Sequence, residues 1–313
     1  MSTPNVIPCS PENLAGYSFN PTTYEGSTFN EVKRAVWSDP YDVLPHYVRT
    51  VGDFYDKAKN VLFEETQRAL NDPHDIRTDP IKKLVHPNGI CLTGTWEITE
   101  ENPYTGFYTP GTKCLIVVRS SVLLYETTQG HYRGFAFAGK LFPTLDPDER
   151  VKTTDFFCID VLLGTKNPYY TAVDLTNEPP IGANPSGFTL FAIATATFGT
   201  FINANYNPVF RPVSQLANHW VPGGEAPNSP HWMKIRGSDI SGNVDREDFR
   251  NELEIDNYPN GELIFDVSVS PKKKKLKKAE WQPVGQIVLT DSRASYSCDH
   301  KLVFQHPKVD KWK

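Results

Sequence analysis

The apolar positions of this chain change their period along its length. Over residues 51–70, Val51, Phe54, Tyr55, Ala58, Val61, Leu62 and Ala69 recur at helical spacing with charges on the other face. This predicts an amphipathic helix that stops at Pro73. From about residue 84 the period becomes two. Leu92, Gly94, Trp96 and Ile98 alternate after a turn and predict a strand. Residues 112–122 predict a second strand, with too many apolar residues in series for a half-exposed one, and 133–143 and 155–163 continue the set. Residues 262–270, 281–289 and 300–307 give three late strands, and 244–255 a short helix. The Pro-rich stretch 205–235 reads as loop. Residues 187–202 are the most apolar run, too short and too rich in Thr to span a bilayer, and read as a buried element. Residues 1–45 carry many Pro, Asn, Ser and Thr without a period and read as extended. The division that follows is an N-terminal extended arm, 1–50, and one domain, 51–313.

Composition sharpens this picture. A chain of 313 residues with 12% aromatics and 26 prolines suits a β-rich fold with many turns. Short strands separated by turns point to an antiparallel sheet or barrel. The formal net charge of −5 gives no general reason to expect a nucleic-acid partner. The cysteines, Cys9, Cys91, Cys114, Cys158 and Cys298, are scattered and odd in number, so reduced thiols in a cytoplasmic protein are the expectation. The first residues lack the apolar stretch of a secretory signal. Six lysines between Lys272 and Lys278 read as a solvated hairpin loop, or as a nuclear-import signal or patch for an anionic partner. His219-Trp220 and His231-Trp232 lie near Glu225 but lack the spacing of a metal motif. The chain has no GxSxG, phosphate-binding Gly-rich loop or dinucleotide fingerprint.

Several stretches, in order, carry a resemblance. They are His86-Pro87-Asn88-Gly89 leading into a strand, Val117-Val118-Arg119-Ser120-Ser121, Arg133-Gly134-Phe135-Ala136 with Lys140, Thr154-Asp155-Phe156, and the segment from Trp281 to Phe304. Together they resemble the catalase superfamily, especially its short members, over about 80–175 and more weakly over 280–307. The resemblance implies an α+β, mainly β fold: a closed antiparallel β-barrel of the catalase type with peripheral helices and an extended N-terminal arm. It also implies haem against one side of the barrel.

In that reading His86 is the catalytic acid/base, taking a proton from one peroxide oxygen and returning it to the other, as a neutral imidazole suits. Ser121 orients His86. Arg119 pairs with a haem propionate, and Arg133 is a further cofactor-binding residue. Aligning on Asp155-Phe156 puts Asp160 at the place of the family's distal Asn. Aligning on Gly164 and Pro168 puts Lys166 there instead, with Asn167 beside it. The family's iron ligand is a Tyr phenolate on a late helix. No Arg-x-x-x-Tyr occurs at such a place, and Tyr296, three after Arg293, falls between predicted strands, so the ligand stays open. Arg119 also reads as half of a structural ion pair, and Ser121 as a solvated strand end. Two functions follow. One is a haem protein acting on hydrogen peroxide or a lipid hydroperoxide. The other is a haem-free catalase-fold binding or structural module. An extended arm also suggests a homodimer.

Overall fold

The computed structural model describes residues 7–8, 26–41, 89–122, 135–160, 216–220, 228, 230, 232–237, 248–271, 280–302 and 304. The predicted helix over 51–70 and the apolar run over 187–202 lie outside these residues.

The described residues form one mixed sheet with a thin helical layer. In chain order the elements are β1 (Ile7–Pro8), α1 (Phe29–Trp37), β2 (Gly89–Ile98), β3 (Thr112–Val122), β4 (Phe135–Phe142), β5 (Thr154–Asp160), β6 (Leu216–Trp220), β7 (Trp232–Gly237), β8 (Leu263–Ser270), β9 (Gln282–Arg293) and α2 (Tyr296–His300). The strand order is β1-β3-β2-β9-β8-β7-β6-β5-β4, and β4 also pairs with β3.

The expectation of a closed antiparallel barrel is corrected. The sheet is an open, curled half-barrel whose edges lie 9 Å apart. That gap is about two inter-strand spacings, and β3 lies within it, flanked by both end strands. β4 pairs with β3 antiparallel only from Leu115 to Val122, whereas β1 joins β3 in parallel at Thr112 and Lys113. The antiparallel ladder therefore stops short of the start of β3, where the edge is taken by a strand from the N-terminal arm.

Alternation along the strands sorts side chains into two cores. Ile90, Leu92, Trp96, Cys114, Ile116, Val118, Phe137, Phe156 and Phe265 fill the concave side. Trp96 stands at the centre, edge-on to Tyr108 at 5.6 Å, and its indole N–H donates to the Phe107 carbonyl at 2.8 Å. The convex side of β2–β4 carries a second core, where Phe29, Val32 and Val36 of α1 pack on Cys91, Val117 and Phe142. α1 forms because Thr28 and Glu31 make a reciprocal capping box ahead of that apolar spacing.

Several local expectations change. Within the segment expected as an extended arm, α1 is helical. The loop-like stretch 205–235 contains β6 and enters β7, because pairing with β5 and β8 satisfies backbone that Pro-rich flanks made look irregular. The short helix over 244–255 is, where described, a pair of 3-10 turns, Phe249–Leu253 and Ile255–Asn257. Of the last expected strand, 300–307, only 300–302 and 304 are described: His300 ends α2, which Ser295 caps by accepting from the Cys298 N–H, and Leu302 forms a bridge.

Replacing Trp96 with Ala removes the largest side chain of the concave core and its bond to the Phe107 carbonyl. Urea unfolding of Trp96→Ala is expected to show a stability loss of about 3–5 kcal/mol.

Candidate functional site

One end of the sheet gathers the segments that the sequence singles out. There β2 begins, β3 ends, β4 begins and β5 ends. Gly89 stands opposite Ser121, Ser121 opposite Ala136, and Ala136 opposite Ile159. Asp160 is the last residue of β5 and pairs with Leu216 of β6. The positions of Ser121 and Asp160 are thus about 10 Å apart, two strand spacings across β4. His86 and Arg133 lie outside the described residues, three before Gly89 and two before Phe135 in the chain.

Arg119 and Ser121 share the face of β3 that α1 and α2 cover, and both are buried. The Arg119 guanidinium donates through Nη2 to Oδ1 of Asp299 at 2.5 Å. Oδ2 of Asp299 accepts from the Tyr41 hydroxyl at 2.9 Å. Gly89 leaves room for this arrangement: a Cβ there would lie 2.9 Å from Cζ of Arg119 and 2.5 Å from the Ser120 carbonyl oxygen. The glycine of the His-x-x-Gly stretch is thus explained locally by close approach of the neighbouring strand.

Cys91 stands directly across from Arg119, on β2. It is disulfide-bonded to Cys298, the residue before Asp299, with Cα atoms 5.8 Å apart. This corrects the expectation of reduced thiols for these two. Cys114 and Cys158 are buried and lie outside this disulfide. The bonded pair is 207 residues apart in sequence, so only the fold brings it together. Closing so long a loop stabilises the folded chain by about 5 kcal/mol in the chain-entropy account. Adjacent residues of α2 are therefore fastened to facing positions of β2 and β3, one covalently and one by charge.

A second buried ion pair lies on the same face. Lys140 and Asp155 stand opposite each other on β4 and β5, with Nζ at 2.8 and 3.0 Å from the two carboxylate oxygens. The Phe304 ring lies 5.5 Å from that ammonium. Lys140, part of the Arg-Gly-Phe-Ala stretch, here joins strands and anchors the C-terminal segment.

At the rim, Asp39 accepts from Ser297 at 2.5 Å and from Lys301 at 2.9 Å. These bonds, the serine's first, hold its carboxyl at about 2. Tyr296 is exposed on α2 and stacks on His300 at 4.2 Å. His219 and Trp220 lie on β6 and Trp232 opens β7, while His231 is outside the described residues. Among the described residues, no group of three or more His, Cys, Asp or Glu could hold a metal ion. No helix among them is long and apolar enough to cross a membrane. Asp299 and Tyr41 were missed from sequence. No local motif marks them, although a buried Arg on an apolar strand demands an anion somewhere.

Two outcomes follow. Asp299→Ala leaves Arg119 buried without this carboxylate and is expected to cost about 3–5 kcal/mol, whereas Arg119→Met combined with Asp299→Leu is expected to recover most of it; chemical unfolding reads both. The second concerns pH. The folded pKa of Asp39 lies below its unfolded value, so its contribution is present above about pH 4 and is lost as pH falls through about 2. Amide exchange at 295–301 is expected to quicken over that window, and Asp39→Asn to remove the dependence.

No protein-family model matches this chain, and no curated protein does. Solved structures show a weak, partial resemblance to catalase folds. A bacterial catalase aligns over 89% of this chain and 60% of its own, at 13% identity and a TM-score of 0.39. A fungal catalase aligns over 80% and 56%, and catalase A of Saccharomyces cerevisiae over 80% and 58%, both at 12% identity and a TM-score of 0.40. The chain thus spans about three-fifths of the length of these catalases, and the likeness concerns fold alone.

Proposed function

We propose that this chain is a haem-free, catalase-like module that serves in binding or as a structural scaffold. One observation carries this reading, the buried Arg119–Asp299 pair. In the resemblance Arg119 is the residue that holds a haem propionate. Here a protein carboxylate fills that role at 2.5 Å, and Tyr41 holds the carboxylate from its other side. A propionate at Arg119 would meet a guanidinium whose charge is already neutralised by Asp299, which α2 carries. The residues at this point do not fit the cofactor, and no chemical step is derived through it.

A second reading keeps the sheet end as a hydroperoxide site with His86 as acid/base, Ser121 as its support and Arg133 toward a cofactor, while Asp160 takes a register position of the opposite face from Ser121. The register that sets Gly89, Ser121, Ala136 and Ile159 in one row favours it, because it gathers the relevant strand ends.

Haemin titration of purified protein separates the two. The expected result is an absorbance that rises in proportion to haemin without a saturating Soret change. A Soret band that saturates at one haem per chain and is lost or shifted in His86→Ala would overturn the proposal. It would direct assays toward hydrogen peroxide and fatty-acid hydroperoxides.

A further inference from the structure

We infer that the Cys91–Cys298 bond is a thiol-sensitive latch: its reduction undocks α2 and the layer of α1 from the convex face while the sheet stays folded. α2 is 5 residues long, far below the length at which a helix stands alone in water. Its position depends on its fastenings. They include the disulfide, the Arg119–Asp299 pair, the Tyr41 bond to Asp299, the Ser297 and Lys301 bonds to Asp39, and the bond from the Ser295 hydroxyl to the Val36 carbonyl. Each of these ends on β2, on β3, or on the stretch from α1 to Tyr41. The helical layer is therefore one unit seated on β2 and β3, with the disulfide as its covalent tie and with lighter bonds from α1 to the Pro147 carbonyl and to Asp291 of β9.

The sheet does not need that unit for its own ladders. β2 and β3 pair along nine positions from Gly89–Ser121 to Glu97–Lys113, and the concave core behind them contains no residue of α1 or α2. Loss of the layer exposes the small convex core and leaves the large one closed. Both bonded cysteines are fully buried, so a reductant reaches them only when α2 lifts. Undocking and reduction are thereby linked. Whatever holds α2 down slows the reductant, and the reduced chain holds α2 less firmly.

The reductant is a dithiol. One thiolate attacks a sulfur of the Cys91–Cys298 bond and forms a mixed disulfide, releasing the other cysteine. The second thiol of the reagent resolves it. Cys91 and Cys298 end as thiols, having gained two electrons and two protons, and the dithiol ends as its own disulfide. An oxidising compartment keeps such a latch shut, and one rich in reduced dithiol proteins opens it.

The test is hydrogen exchange by mass spectrometry on the full chain, oxidised and after dithiothreitol, with the thiols followed by peptide-level alkylation. Protection at 29–37 and 295–302 is expected to fall in the reduced protein while 89–98 and 112–122 keep theirs. Cys91→Ser combined with Cys298→Ser should show the reduced pattern without reductant and no further response to it. Asp39→Asn, which leaves both cysteines in place, should quicken reduction about tenfold at fixed dithiothreitol, since it removes a charge-assisted bond that holds α2. Three results would overturn the inference. They are unchanged protection of the helical layer after reduction, loss of protection throughout the sheet, and alkylation of Cys91 and Cys298 in denatured protein that never met a reductant.

Discussion

The convex face of β2–β4 depends on how the charge of Arg119 is neutralised. A guanidinium buried on an apolar strand is tolerable only with a carboxylate within bonding distance. The chain supplies that carboxylate from Asp299, which lies 180 positions further on. To deliver it, α2 must lie across β2 and β3. That placement brings Cys298 over Cys91, Ser297 against Asp39, and Ser295 under the end of α1. The N-terminal segment is then held by the C-terminal one, and Tyr41 closes the arrangement on Asp299. Both ends of the described fold meet at one buried charge.

Buried ion pairs add little net stability over well-packed apolar residues, because desolvation offsets most of the attraction. Their consequence here is for register. Lys140 and Asp155 meet only in the observed β4–β5 alignment, since a slip by one residue would turn one of them to the concave core. Arg119 constrains its neighbours in the same way. Gly89 must face it without a Cβ, and Cys91 must lie opposite for the disulfide to form. The convex side is specified by charge and covalent geometry, and the concave side by the shapes of Trp96, Phe137, Phe156 and Phe265.

What was legible in the sequence follows the range of each interaction. Strand positions over 89–98, 112–122, 135–142, 154–160, 263–270 and 282–289 were legible because alternation and apolar runs are local, whereas the extension of β9 to Arg293 was not. The helix α1 had a readable signal in Thr28-x-x-Glu31 with Phe29, Val32 and Val36, hidden among polar residues of an apparent arm. β6 and β7 were hidden because Pro and Gly around them outweigh five- and six-residue runs. The start of the last expected strand was misjudged at His300, because Ser295 and the bonds of α2 impose a helical turn that runs up to that residue. Sheet curvature, the parallel partner of β3 and the Cys91–Cys298 bond were illegible, since each joins segments whose separation carries no local trace. Of the candidate site, Arg119 and Ser121 were placed on the right strand, but the anion that Arg119 meets was not.

The site therefore depends on what each residue of a motif-like pattern does locally. Arg119-Ser120-Ser121 and His86-x-x-Gly89 read as parts of a cofactor site when taken as motifs. As neighbours in a sheet, Gly89 and Arg119 have a sufficient local reason: the glycine gives space, the arginine fills it, and Asp299 neutralises the arginine. That reason extends to neither Ser121 nor His86. A pattern that reads as one motif can thus owe its glycine and its arginine to packing alone, at the point where strand β2 begins and the close approach to Arg119 is made.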